Sequence, residues 1–264
     1  MVAVSLKKKK AGKGRGRENK DGNQFVRHQI TQKPIAGTTI VFAVDIDTDG
    51  DLDVMTASPF EGKIRWYENR GSGRFAYTGK TINADRIIVR NLRIADLDGD
   101  KDVDLVVGAF PDKTPFKWFE NQGNGSFSVH PIEIENTAQL TEQMPLAIAD
   151  LNQDGRPDLI LAIGQTAQWL PGNSARSEST HSFGFGTPRF ISTEAAAITS
   201  MALADLDQDR DVDLILTTED KFIWRENRQS LDFTAEHLIF PHAHPSIKVA
   251  DLDNDTDIDL YGVG

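Results

Sequence analysis

The sequence predicts an all-β fold, a β-propeller with five recognisable four-stranded blade repeats of about 50 residues each, the last of them incomplete. Three observations predict it. An aspartate-rich window occurs five times, as VDIDTDGDLDV at 44–54, ADLDGDKDVDL at 95–105, ADLNQDGRPDL at 149–159, ADLDQDRDVDL at 204–214 and ADLDNDTDIDL at 250–260, with first aspartates 51, 54, 55 and 46 residues apart. Short runs rich in Val, Ile and Leu flank every window, and they suit buried strands better than helices. All four tryptophans, Trp66, Trp118, Trp169 and Trp224, stand 19 to 22 residues after the first aspartate of a window, so window and tryptophan belong to one repeating unit.

The elements follow in order. Residues 1–21 read as a disordered basic tail, because residues 1–20 hold eight Lys/Arg against one acidic residue and no apolar stretch follows the charges as it would in a secretory leader. Residues 22–264 read as the propeller. Gly22, Phe25, His28 and Ile30 match Gly125, Phe127, His130 and Ile132, so the first strand expected is an outer, fourth one. In each repeat a first strand precedes the window (TTIVFAV, IIVRNLRIA, QMPLAIA, ITSMALA, SIKVA) and a second follows it (DVMTAS, DLVVGAF, DLILAIG, DLILTT, DLYGVG). The tryptophan strand is third (KIRWYEN, PFKWFEN, AQWLPGN, KFIWREN), and a fourth opens on phenylalanine after a glycine or polar turn. The Ser/Gly-rich NSARSESTHSFGFGTP before Phe190 reads as a loop insertion in the third repeat. The fifth repeat shows a first and a second strand, and residues 24–31 could lend it a fourth. Two readings are then open: a five-bladed ring that closes imperfectly, or a piece of a longer propeller.

The formal net charge of -11 is unevenly placed. After residue 20 the chain carries 21 Lys/Arg and 39 Asp/Glu, and 23 of all 40 acidic residues fall in the five nine-residue windows, so the acidity is organised and not a generally solvating surface. No apolar run approaches the ~20 residues that cross a bilayer. Zero cysteines exclude a disulfide framework and thiolate catalysis without fixing the compartment. The basic KKKK and GKGRGR carry charge for phosphates, but no aromatic residue interleaves them, and nucleic acid is disfavoured as a partner.

Like charges on alternate residues repel by roughly 1 to 4 kcal/mol per pair at ~4 Å. A counter-charge is required. Calcium takes six to eight oxygens, and a loop with carboxylates at positions 1, 3, 5 and 9 and a backbone carbonyl at position 7 wraps one ion. The candidate ligand sets are Asp45, Asp47, Asp49, Asp51 and Asp53; Asp96, Asp98, Asp100, Asp102 and Asp104; Asp150, Asn152, Asp154, Arg156 and Asp158; Asp205, Asp207, Asp209, Asp211 and Asp213; and Asp251, Asp253, Asp255, Asp257 and Asp259. In each set the fourth residue serves through its carbonyl. Magnesium prefers fewer protein ligands and zinc would want His or Cys, neither of which is near. Five Ca2+ ions would bring the net charge of -11 to about -1. The sharp turn at position 6 favours Gly, which Gly50 and Gly155 supply and Lys101, Arg210 and Thr256 do not. The window at 150 is also weakened by Asn152, which carries one charge fewer.

ADLDGDKDVDLVVGAF followed by WFENQGNGSF resembles the FG-GAP/VCBS repeat of integrin-α-type β-propellers, over about residues 22–264. The resemblance implies calcium in the Asp loops, commonly seven blades, an extracellular or cell-surface location, and members acting in cell adhesion, as lectins or as surface modules of larger proteins. The FG and GAP signatures themselves are missing from most copies. A non-catalytic binding or adhesion module for carbohydrate or protein is the first expectation. A carbohydrate-active lyase or hydrolase propeller and a scaffold fragment of a larger surface protein are its rivals. No nucleophile elbow, phosphate loop or His-rich metal centre supports catalysis. Tryptophan at a fixed blade position suits packing between blades better than an exposed sugar platform shared with Tyr67, Phe119 and Arg225. His242 and His244 lack a third ligand, His28, His130 and His237 read as strand-surface residues, and Asn124 in NGS is a possible glycosylation acceptor.

Overall fold

In four of the five repeats the second strand after the aspartate window is buried along its whole length, and the architecture follows from that. A run such as DLILAI has no polar face to offer water, so it must lie between neighbours on both edges and be covered on both faces. The computed structural model describes residues 17–20, 24–27, 30, 40–59, 61–71, 75–82, 87–134, 137–173, 184–228, 231–242, 247–253 and 255–262. Among them are twenty strands and one short 3-10 turn, Thr137–Gln139.

Four antiparallel sheets have four strands each in simple chain order. They are β3 (Ile40–Val44), β4 (Asp53–Ser58), β5 (Lys63–Asn69) and β6 (Phe75–Thr81); β7 (Val89–Ala95), β8 (Asp104–Ala109), β9 (Phe116–Asn121) and β10 (Phe127–Pro131); β11 (Leu146–Ala149), β12 (Asp158–Ile163), β13 (Thr166–Leu170) and β14 (Arg189–Thr193); and β15 (Ile198–Ala204), β16 (Asp213–Thr218), β17 (Phe222–Glu226) and β18 (Ala235–Phe240). The expected assignment of windows to the first turn, of tryptophans to the third strand and of Phe-led runs to the fourth agrees with these spans. The fifth copy forms a two-stranded sheet of β19 (Ile247–Ala250) and β20 (Asp259–Gly262). β1 (Arg17–Lys20) pairs with β2 (Gln24–Arg27), so the run offered by the sequence as a fourth strand for the last sheet has β1 as its partner. β1 also lies inside the stretch read as a basic tail, most of which is outside the described residues, as are Gly22, His28 and His244.

By compactness the chain divides into two units, residues 1–89 with 102–104 and 119–129, and residues 90–101, 105–118 and 130–264. The first holds a small core of Ile30, Val54 and Tyr67 with Phe75 against it. In the second the sheets stack face to face, because strand alternation sends neighbouring side chains to opposite sides. Leu159, Leu161 and Ile163 of β12 pack with Val106, Phe116 and Trp118, while Ile160 and Ala162 pack with Leu214, Leu216 and Met201. Ile215 of β16 then turns away toward Phe222 and Ile247. β12 and β16 thus each feed two cores, which is why their central residues are apolar on both faces.

Among the described residues β20 pairs with β19 alone, whereas β16 lies between β15 and β17. Amide protons on an unpaired edge open locally without global unfolding. Hydrogen exchange is therefore expected to be faster in residues 259–262 than in residues 213–218, and equal protection would contradict a two-stranded fifth sheet.

Candidate functional site

The windows form five loops of one design, each joining a first strand to a second. The position-1 carboxylate accepts the position-6 backbone N–H in all five: Gly50 to Asp45 (2.9 Å), Lys101 to Asp96 (3.1 Å), Gly155 to Asp150 (2.8 Å), Arg210 to Asp205 (3.0 Å) and Thr256 to Asp251 (3.2 Å). The position-5 carboxylate accepts the position-7 N–H, as from Asp51 to Asp49 (2.9 Å), Asp211 to Asp209 (2.8 Å) and Asp257 to Asp255 (2.9 Å). Position 3 accepts from position 5 at 3.2 Å in Asp98, Asp207 and Asp253. Local side-chain acceptors of this kind are what short polar residues provide in turns.

Position 9 is different, because Asp53, Asp104, Asp158 and Asp213 are fully buried. Asp53 Oδ2 accepts from Ile46 N (3.2 Å) and Trp66 Nε1 (2.8 Å), and its Oδ1 from Asn69 N (2.7 Å). Asp158 takes the N–H groups of Leu151 (2.9 Å) and Gly172 (2.6 Å), and Asp213 those of Leu206 (2.9 Å) and Asn227 (2.8 Å). Asn121 N donates to Asp104 (2.7 Å) and Leu252 N to Asp259 (2.7 Å). The indoles of Trp169 and Trp224 approach Asp158 and Asp213 without completing a hydrogen bond. Burial raises the Asp53 and Asp213 carboxyls to about 6, against these donors, which act to lower them.

Four of the five windows bring three carboxylates within 4.8 Å of one another: Asp45, Asp47 and Asp53; Asp96, Asp98 and Asp100; Asp205, Asp207 and Asp213; and Asp251, Asp253 and Asp255. In two of them a buried oxygen, Asp47 Oδ1 or Asp205 Oδ1, has no hydrogen-bond partner among the described residues. All-oxygen donors, carboxylate-rich and pre-bent, suit a hard cation of calcium's kind, and the orphaned oxygens are what such an ion would satisfy. The side chains at position 7 turn elsewhere: a Cβ on Gly71 would touch Asp51, and Asp211 meets Gln153. Among the described residues the window at 150 gathers no such group. There Asn152 donates to Asp154 (3.0 Å) and Arg156 Nη2 lies on the same carboxylate at 2.6 Å.

The turn at position 6 is left-handed in every copy, with φ of 88° at Gly50, 79° at Lys101, 84° at Gly155, 78° at Arg210 and 80° at Thr256. Position 4 is left-handed too, at Thr48 (58°), Gly99 (83°), Gln153 (56°) and Gln208 (64°). The sequence hinted at this second bend through Gly99 alone. It also carried an unread signal in Trp-x-x-Asn. Asn69, Asn121 and Asn227 each give their backbone N–H to the position-9 aspartate and their side-chain amide to the position-8 carbonyl, at 3.1, 3.3 and 3.2 Å. Gly172 fills this place in the third copy with its backbone only.

The tryptophans pack. Trp66, Trp118 and Trp169 are buried, and a Cβ on Gly184 would lie 2.8 Å from the Trp118 ring, as one on Gly125 would invade Trp66. Tyr67 and Phe119 are buried as well, so the exposed sugar platform is not found. His130 and His237 lie on strand faces, their rings 5.0 and 4.3 Å from those of Trp118 and Trp224.

A family model for the FG-GAP-like repeat matches residues 45–107 and 96–161, so this stretch carries FG-GAP-like repeats. No curated protein matches the chain. Among solved structures, an Agrocybe aegerita lectin described for specific recognition of non-reducing terminal N-acetylglucosamine is 18% identical, with a TM-score of 0.67 over 93% of this chain and 67% of that one. The Photorhabdus luminescens Tc holotoxin pore is 17% identical with a TM-score of 0.48, over 90% of this chain and 11% of that one. The V. cholerae biofilm matrix protein Bap1 is 16% identical with a TM-score of 0.46, over 88% of this chain and 35% of that one. At such identity the likeness to the lectin is one of fold.

Two outcomes follow from the loop geometry. A β-branched residue at φ 80° is strained by roughly 1 to 3 kcal/mol, so Thr256→Gly should raise stability by about 1 kcal/mol, and Gly50→Ala should lower it comparably, in chemical denaturation. Because the Asp53 and Asp213 carboxyls titrate higher folded than unfolded, they favour the fold most below about pH 4, and that contribution is lost as pH rises to about 6. In chelator-treated protein the melting temperature should fall across this window, and less steeply in an Asp53→Asn, Asp213→Asn variant. An unchanged slope would clear both groups of the effect.

Proposed function

We propose that this protein is a calcium-stabilised β-propeller, its sheets arranged as blades of one ring, that acts outside the cell or at its surface as a non-catalytic binding module for carbohydrate or protein. The observation that carries this reading is the convergence of three carboxylates in four separate loops of one design, where unneutralised charge would oppose folding. Positions 1, 3, 5 and 9 and the position-7 carbonyl would hold the ion, which supplies charge compensation and fixes the turn. FG-GAP-like repeats and a fold shared with a sugar-recognising lectin support a binding role. The ligand surface lies away from the third-strand tryptophans, since three of the four are buried.

Cation binding to the folded state alone adds about 2.7 kcal/mol per site when free calcium is ~100 times its dissociation constant. Chelation should lower the melting temperature substantially, millimolar calcium should restore it, and magnesium should do so poorly. Asp45→Asn removes a ligand from a loop with Gly at position 6 and should cost more calcium-dependent stability than Asp251→Asn, whose loop already carries Thr256. An unchanged melting curve after chelation, with no metal by elemental analysis, would return the loops to plain acidic turns. Glycan-array binding with and without calcium tests the ligand class, and a calcium-independent blank array would favour a protein partner.

A further inference from the structure

Two glutamines tie neighbouring loops together. Gln153, at position 4 of the third loop, donates its side-chain amide to the carbonyl of Arg210 (3.0 Å) and to Asp211 Oδ1 (2.5 Å), positions 6 and 7 of the fourth. Gln208, at position 4 of the fourth, donates in the same way to Asp257 Oδ1 of the fifth. Both glutamines stand at left-handed positions between two ligand positions of their own loop, with φ of 56° and 64°. Their side chains therefore project along the row of loops only when the parent loop is formed. In the first loop the hydroxyl of Thr48 turns back to its neighbour's carbonyl at Asp47 (2.8 Å), and Gly99 gives the second no side chain at all.

The third loop, where the row starts, carries its own cation. Arg156 occupies position 7, where the other four loops have aspartate. Its Nη2 lies 2.6 Å from Asp154 Oδ2 and its Nε donates to the Gly172 carbonyl (3.1 Å), the residue whose N–H caps Asp158. One guanidinium thus neutralises the position-5 carboxylate and fastens the loop to the end of β13, while Asp150 is held by the N–H groups of Asp154 (3.0 Å) and Gly155 (2.8 Å).

Resting on the calcium reading above, we propose that the third loop is set by Arg156 without a metal ion and acts as a template, Gln153 positioning the fourth loop for its cation and Gln208 passing that order to the fifth. Gln153 and Gln208 are positioning residues. Gln153 touches the position-6 carbonyl and position-7 side chain of the next loop and Gln208 the position-7 side chain, at the corner that must stay left-handed for positions 1, 3 and 5 to converge. Each amide also donates to a position-7 carboxylate, giving that side chain a partner outside the ligand set. Cation binding in the fourth loop should then stiffen Gln208 and raise the affinity of the fifth, as linkage requires of any shared ordered element.

The full-length protein, titrated with calcium chloride and followed by hydrogen exchange of peptides covering each loop, tests this. In the wild-type chain residues 150–158 should be protected equally with and without calcium, while the four other loops gain protection. Gln153→Ala should shift the calcium midpoint for residues 205–213 upward by about five-fold, the lower range of ordinary coupling, and leave that for residues 45–53 in place. Gln208→Ala should shift residues 251–259 alone. Arg156→Gln should loosen residues 150–158 in the absence of calcium. Midpoints unmoved by Gln153→Ala, or calcium-dependent protection of residues 150–158, would overturn the template and leave the calcium reading standing. A wild-type protein with no calcium response in any loop would overturn both.

Discussion

The buried aspartate at position 9 is the constraint on which the rest of each repeat depends. It opens the second strand, yet its two oxygens are claimed by the second residue beyond the first strand and by the residue ending the third, as Asp53 is by Ile46 and Asn69. Three strands are thereby fastened at one point, at the end of the sheet where the loop leaves it. A buried charge is tolerable when several donors surround it, and here the donors are backbone N–H groups that would otherwise be orphaned at strand ends. The loop above inherits its shape from this point, since position 2 is held directly and positions 1 and 3 are the residues on either side of it.

Much of this was legible in the sequence because it recurs. Five windows in register gave the period, and the alternation of aspartates across each window separated them from generally acidic turns. The second strands were readable as buried strands for the same reason, as DLILAI and DLVVGA offer no polar face. What was not legible depends on contacts across copies or on backbone angles. Asn69, Asn121 and Asn227 looked like strand-end polar residues, and their role appears only when the third strand is laid beside the position-8 carbonyl. The left-handed bend at position 4 is occupied by Thr, Gly and Gln, a set that gives no consistent signal. Arg156 read as one more carbonyl ligand, although its side chain forms an ion pair with Asp154.

The tryptophan and the glycine form the second joint between copies. A large flat ring on the third strand leaves room for a neighbouring turn only if that turn has no side chain, and Gly125 against Trp66 and Gly184 against Trp118 meet this condition. Both glycines are left-handed, with φ of 68° and 87°, so the absent Cβ serves the bend and the close approach together. Three of the rings also meet a fourth-strand residue: His130 beside Trp118, Arg189 over Trp169 at 5.2 Å and His237 stacked on Trp224. The indole is thus committed to packing, which moves any ligand-binding role of the protein to surfaces built from less regular residues.

The left-handed corners are held by the same carboxylates that crowd these loops. Lys101, Arg210 and Thr256 hold backbone angles that side-chain-bearing residues rarely adopt, and such angles persist only where the surroundings over-determine them. Here the surroundings are the position-1 and position-5 carboxylates, each accepting an N–H from the corner. The same carboxylates that repel one another are therefore also what bends the chain, and they cannot be diluted without losing the turn. The corner is thus drawn by hydrogen bonds, and the course of the chain beneath it is set by the buried aspartate.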